Sequence, residues 1–176
     1  MKLIKIPNFR QAHEFSCGAS ALQSVLIYYL GYTISEGELI KLVKSDPRGG
    51  TAPKDIKKTA EIFGLKCELK TLSINDLKKY LDKKIPVIMP IQAWPTKKVD
   101  LSSSWSYGHY VVAVGYDKNK IFFQDPASIN LAYMTSSELE SRWHDVDKNK
   151  IKYLNFGIII YGKKPKYNQN KIIKLE

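Results

Sequence analysis

Gly108-His-Tyr-Val-Val-Ala-Val-Gly-Tyr-Asp-Lys-Asn-Lys-Ile-Phe-Phe-Gln-Asp125 is the stretch that decides the architecture. The run from His109 to Tyr116 is β-branched and aromatic, Asp117-Lys118-Asn119 carries turn residues, and Ile121 to Asp125 returns as a second apolar run, so an antiparallel hairpin is predicted. Working outward, Pro86 to Gln92 reads as a buried strand, and Cys67 and Leu69 alternate with charges as a short strand does. Tyr153 to Tyr161 is expected as one further apolar strand. The second half of the chain should therefore hold a sheet.

The first half has a different period. Leu22, Val25, Leu26, Tyr29 and Leu30 recur at helical spacing behind Cys17, and Gly31 supplies the stop, which predicts a buried helix with Cys17 in its first turn. Ser35 with Glu38 makes a capping box for a second helix ending near Lys44, and Pro53 suits the first position of a third that runs to Phe63 and stops at Gly64. Ser73 caps a helix to about Lys83, and Thr135 with Glu138 caps one to about Trp143. Helices first and an antiparallel sheet later give an α+β domain, a helical N-terminal half packed on the sheet. Its 176 residues fit one domain, placed at residues 1–162, with the lysine-rich, aperiodic stretch from Lys163 to Glu176 expected as a flexible basic tail.

Composition narrows the function. With 44% apolar and 26% charged residues the chain is that of a soluble globular protein. Its net charge of +11 comes almost entirely from lysine, since Arg10, Arg48 and Arg142 are the only arginines, and nucleic-acid readers lean on the arginine fork. No nucleic-acid partner is expected. Cys17 and Cys67 allow one disulfide at most and form no Cys-x-x-Cys pair, which disfavours structural zinc; neither metal nor cofactor is expected. No run approaches 18 uncharged apolar residues and the N-terminal apolar run is too short for a signal peptide, so no transmembrane segment and a cytoplasmic location are expected.

Three histidines can be weighed against Cys17. His13 lies in a polar loop and His144 sits beside Asp145 and Asp147 at a helix end, and both read as solvated. His109 opens an apolar strand, where its ring nitrogens need a buried partner, and Asp125 ends the next strand. Parity tests that pairing. A two-residue loop Lys118-Asn119 would put Asp125 opposite Val112, on the other side of the sheet from His109. A three-residue loop pairs Tyr116 with Lys120, Gly115 with Ile121, Ala113 with Phe123 and Val111 with Asp125, which makes His109 and Asp125 diagonal neighbours on one face. The three-residue loop is therefore predicted.

A thiol at a helix N-terminus beside an imidazolium is stabilised as thiolate from two directions, and a carboxylate behind the imidazole fixes its tautomer. The backbone N–H of Cys17 and the side-chain amide of Gln11, six residues upstream, are candidate oxyanion donors. A free cysteine is otherwise most simply a buried structural thiol, the reading kept for Cys67.

Gln11-Ala-His-Glu-Phe-Ser-Cys-Gly-Ala19, Gly108-His-Tyr-Val-Val112 and Phe123-Gln-Asp-Pro-Ala127 resemble the motifs of the bacteriocin-processing peptidase family, papain-like cysteine peptidases that remove leader peptides after a double glycine. The similarity spans roughly residues 5 to 161. It implies a papain-like fold, Cys17 as nucleophile, His109 as general base and acid, Asp125 as orienting residue and Gln11 as oxyanion-hole donor, acting on a peptide or protein substrate. Two features depart from the family pattern: Gln92-Ala93-Trp94 replaces its common histidine and tryptophan, and the insert from Pro95 to Tyr107 is long. The sequence carries no transporter, so an exporter partner does not follow, and a free-standing relative is an equal expectation. The same three groups can also deamidate glutamine or transfer an acyl group, and the fold can serve as a noncatalytic peptide-binding module. Asp145-Val-Asp147-Lys-Asn149 starts like a calcium loop but lacks the later glycine and glutamate, and Gly49-Gly50 after Asp46-Pro47-Arg48 reads as a turn.

Overall fold

The structure, a computed structural model, describes residues 2–175. Its elements run β1 (Lys2–Leu3), α1 (Cys17–Leu30), α2 (Glu36–Leu42), α3 (Pro53–Ile62), β2 (Lys66–Thr71), α4 (Ile74–Asp82), β3 (Val87–Gln92), β4 (Gly108–Tyr116), β5 (Lys120–Gln124), β6 (Ala132–Thr135), α5 (Ser136–Arg142), β7 (His144–Val146), β8 (Lys152–Leu154) and β9 (Phe156–Tyr161). An antiparallel sheet in the order β2-β9-β3-β4-β5-β6, with β1 also on β4, carries the helices, and β7 and β8 form a separate ribbon. The α+β expectation holds.

Side-chain alternation divides the core in two. Ile88, Tyr110, Val112, Val114, Ile158 and Ile160 face α1, α2 and α3. Val87, Met89, Ile91, Val111, Ala113 and Ile159 face the opposite side, where Leu77, Leu81, Leu139 and Trp143 from α4 and α5 cover them. α1 is buried along its whole length, because the sheet lies on one side and α2 and α3 on the other, and Gly31 ends it with φ +73°.

Caps fall where the side chains dictate. Ser35 accepts from the Glu38 N–H, and Ser73 with Asp76 and Thr135 with Glu138 form reciprocal capping boxes. Pro53 opens α3, and Gly64 follows it at φ +74°.

The sequence expectation needs three corrections. Tyr153 to Tyr161 is not one strand: Asn155, at φ +49°, breaks it so that β8 pairs with β7 while β9 enters the main sheet beside β2 and β3. β6 and β7 lie where no strand was expected. The third correction concerns the hairpin. Tyr116 pairs with Ile121 and Gly115 with Phe122, so the loop is the two residues Lys118-Asn119, closed by the Asp117 N–H bond to Lys120 O at 3.0 Å. Asp117 Oδ1 accepts from the Asn119 and Lys120 N–H groups and so tightens the turn without a third residue. The register then shifts at Val114, a β-bulge, and beyond it Ala113 pairs with Phe123 and Val112 with Gln124. The pairing predicted near the turn is wrong, whereas that predicted near His109 is met.

The start of the C-terminal tail is tied to the domain. The Lys166 and Tyr167 N–H groups both donate to Tyr28 O at 3.1 Å, and Lys163 Nζ donates to Phe63 O.

Candidate active site

Three elements deliver the candidate residues. Cys17 is the first residue of α1. Gly18 lets the start of that helix approach the sheet closely: a Cβ there would lie 2.8 Å from Thr51 Cβ and 3.1 Å from Tyr110 Cδ2, the ring next to His109 in the chain. Ser16 makes no side-chain cap: its Oγ accepts from the His13 N–H at 3.1 Å and donates to Glu36 Oε1 at 2.7 Å, so the first N–H groups of α1 are not taken up by it.

His109 and Asp125, both buried, meet with Nε2 and Oδ1 2.6 Å apart. Two further donors fix the carboxylate, the Ala127 N–H on Oδ1 at 2.8 Å and the Trp94 indole N–H on Oδ2 at 2.9 Å. With Nε2 committed to Asp125, Nδ1 is the ring atom left for the Cys17 thiol, which acts on the His109 ring. Burial opposes a charge on the ring, but the bond to Asp125, the neighbouring Cys17 thiol and the charges of both outweigh it and raise His109 to about 9. Asp125 moves the opposite way: burial favours its neutral form, and the bond and charge of His109 with the Ala127 and Trp94 donors bring it below the usual carboxylate range. The directions agree, as expected of an imidazolium–carboxylate pair.

Gln11 is placed on the same side. Its backbone N–H donates to Pro126 O at 2.9 Å, which joins the loop before α1 to the loop after Asp125. Its side-chain Nε2 donates to His13 O at 2.8 Å and Glu14 O at 3.2 Å, and its Oε1 is buried without a partner.

Cys17 opens onto a cleft of about 480 Å³ whose walls include Gly50, Thr51, Pro90, Trp105, Tyr110 and Tyr153. Such a recess suits a peptide segment. Among the described residues no group of three or more His, Cys, Asp or Glu side chains is arranged to hold a metal ion, and no helix is long and apolar enough to cross a membrane.

The other sulfur and histidines go elsewhere. Cys67 is buried on β2, where loss of solvent pushes its thiol up to about 12, the behaviour of a structural cysteine. His13 is exposed and stacked on Phe15. The expectation that His144 is solvated is corrected: it is buried, its Nε2 lies 2.8 Å from Ser104 O, and Trp105 packs on its ring. The insert between β3 and β4 folds back over β7, a contact between distant segments with no local signal. Trp94 and Asp145 were both missed. Gln92-Ala93-Trp94 carries no pointer to Asp125, and Asp145 reads in the sequence only as a neighbour of His144 and the start of an incomplete calcium loop.

Comparisons with known proteins agree on the fold. No curated protein matches the chain. The peptidase domain of Streptococcus ComA, a bifunctional ABC transporter of a quorum-sensing pathway, superposes with a TM-score of 0.69 at 21% identity, covering 91% of this chain and 99% of that one. A C39-like peptidase of Bacillus anthracis gives 0.71 at 18% identity over 94% and 100% of the two chains. A double-glycine-motif protease of an AMS/PCAT transporter, solved with its leader peptide, gives 0.66 at 18% over 90% and 93%. The sequence model of the Peptidase C39 family matches residues 5–147. A helix that begins at a cysteine, packed on an antiparallel sheet that carries a histidine, is thus the papain-like arrangement of a cysteine peptidase, and the chain belongs to the Peptidase C39 family.

Proposed function

We propose that the protein hydrolyses a peptide bond of a peptide or protein substrate through Cys17, His109 and Asp125, with an oxyanion hole from the Cys17 N–H and Gln11. The His109–Asp125 pair, buried and 2.6 Å apart, together with a helix-terminal thiol that lines a cleft, carries this reading. Cys17 Sγ attacks the scissile carbonyl carbon, a C–S bond forms, and the carbonyl electron pair moves to oxygen. The oxyanion is stabilised by the N–H groups at the uncapped start of α1. Gln11 adds a second donor when the oxyanion replaces Glu14 O, the longer of its two bonds at 3.2 Å. Collapse breaks the C–N bond, and the leaving amine takes the proton from His109 Nδ1. Water then attacks the thioester while His109 accepts its proton, and release of the acid regenerates the thiolate–imidazolium pair. Asp125 keeps Nε2 protonated and directed away from the sulfur throughout.

Support for a peptide substrate comes from the leader-peptide complex among the structural neighbours. Incubation with a peptide library, product sequencing and a Cys17→Ala control test the reading. Chain scission that disappears in Cys17→Ala is expected; scission after a double glycine would make the substrate a leader peptide. Ammonia release without scission would overturn the peptidase reading in favour of a deamidase.

A further inference from the structure

Asp145, on β7, lines the cleft that Cys17 opens onto, and neither the nucleophile nor the oxyanion hole uses it. Its place is built. A Cβ on Gly108 would lie 2.2 Å from Asp145 Oδ1 and 2.6 Å from Cγ, so the residue immediately before His109 must lack a side chain for the carboxylate to sit there. Gln92 Nε2 at 3.2 Å and the Val146 N–H at 2.8 Å both bond Oδ1. Oδ2 accepts no hydrogen bond, and no lysine, arginine or histidine among the described residues forms an ion pair with the group.

The nearby cations are occupied or unpaired with it; the His109 charge reaches Asp145, but its Nε2 is held by Asp125. Lys148 Nζ donates to Lys44 O at 2.6 Å and lies 3.8 Å from Asp55, Lys152 lies over the Trp105 ring, and Arg48 lines the cleft without pairing with Asp145. The same cleft is lined by Tyr110 and Tyr153, aromatic rings whose faces attract cations. A half-buried carboxylate with one unshared oxygen is costly to keep, and a cationic partner offsets that cost directly.

We propose that Asp145 binds a cationic nitrogen of the substrate in the cleft beside Cys17, and so makes a positive charge near the scissile bond a determinant of specificity. This rests on the peptidase reading. The cation can come from a lysine or arginine side chain or from a free α-amino group.

Two measurements on the full chain test it. In the first, Cys17 alkylation by iodoacetamide is followed with increasing Nα-acetyl-lysine amide, lysine amide or Nα-acetyl-norleucine amide. At least tenfold stronger protection by the cationic compounds than by the norleucine compound is expected, and that preference should vanish in Asp145→Asn. Asparagine keeps an oxygen for Gln92 and Val146, so the variant should fold, and the wild-type comparison does not depend on it. Protection by the acetylated lysine compound locates the cation on a side chain, and protection by lysine amide alone locates it on the α-amino group. Equal protection by all three overturns the proposal. In the second, kcat/KM is compared for peptides that carry lysine or norleucine next to the scissile bond, with and without N-acetylation. Scission with no preference for a cation overturns the Asp145 assignment and leaves the peptidase reading intact. Selective protection without any scission upholds the cation site and overturns the peptidase reading.

Discussion

His109 Nε2 and Asp125 Oδ1 lie 2.6 Å apart across a hairpin whose two-residue turn, left to itself, would send the two side chains to opposite faces of the sheet. The bulge at Val114 resolves the conflict by adding one residue to β4 and none to β5, which restores the parity the pair requires. The contact between proposed base and orienting acid is therefore set within the strand, five residues from His109.

Substitution of Asp125 separates its charge from its geometry. Asparagine retains an oxygen for His109 Nε2–H and for the Ala127 N–H, whereas alanine abandons both; in either variant the Trp94 indole loses its acceptor. Hydrolysis by Asp125→Ala is expected to fall about 10²–10⁴-fold in kcat/KM, and Asp125→Asn to retain most of the activity lost in alanine. Progress curves normalised to the titratable Cys17 check this; equal losses in both variants would place the role of Asp125 in its charge alone.

The pair should also shape stability against pH. His109 is raised from an ordinary 6.5 to about 9, so its contribution is fully present below 6.5 and is lost as pH rises through about 9. Asp125, held below the usual carboxylate range, contributes above that range and loses its contribution on acidification. The Tm difference between wild type and His109→Gln is expected to be largest near pH 6 and to shrink towards pH 10. A difference constant across that range would mean that the ring is neutral in the fold.

Asp145 runs the other way. Burial, its largest influence, raises this acid to about 7 against the bonds from Val146 and Gln92, so its contribution is most favourable below the ordinary carboxylate value and declines as pH rises through about 7. Asp145→Asn, which cannot ionise, should gain in Tm relative to wild type between pH 4 and pH 8. Thermal melts at both values decide the matter, and a gain of that sign is what a carboxylate retained for binding at the expense of stability predicts.

Local signals carried most of the fold. Ser35, Ser73 and Thr135 cap their helices, Pro53 opens one, and Gly31 and Gly64 end two, because each of these devices acts within a few residues of itself. Of the candidate site, His109 and Asp125 were legible because strand parity links them through a short hairpin. His144 and Asp145 were not, since their surroundings come from Gln92, Ser104, Trp105 and Gly108, some 37 to 53 positions away along the chain. The bulge at Val114 has one local sign, the isolated Gly115 within the strand, but turn length and bulge give the same register at a distance, so the glycine alone does not choose between them.

Gly18 is the point at which packing controls chemistry. A methyl group there meets Thr51 Cβ at 2.8 Å and the Tyr110 ring at 3.1 Å, and neither neighbour is the free end of a flexible chain. Gly18→Ala should therefore push the start of α1 off the sheet, cost about 1–3 kcal/mol from overpacking and slow Cys17 alkylation at neutral pH. Urea denaturation and the labelling rate read the two effects separately. Lost stability with unchanged labelling would show that the thiol tolerates displacement of its helix.

Trp94 offers the last test, because it holds the carboxylate from the side opposite His109. Its backbone sits at φ +54°, a left-handed conformation unfavourable for a bulky residue, and the residue is 58% exposed, so core burial does not explain its position. The indole N–H on Asp125 Oδ2 does. Removing that donor leaves Oδ2 without its bond and makes the carboxylate more basic, which favours the charged form of Asp125 less. Trp94→Phe, which keeps an aromatic ring, is expected to lower kcat about tenfold with KM little changed and to shift the acid limb of the pH–rate profile upward. Recovery of the normal acid limb in Trp94→His, whose ring can again donate, would assign the effect to the hydrogen bond; an acid limb identical in all three proteins would reduce Trp94 to a cover over the loop.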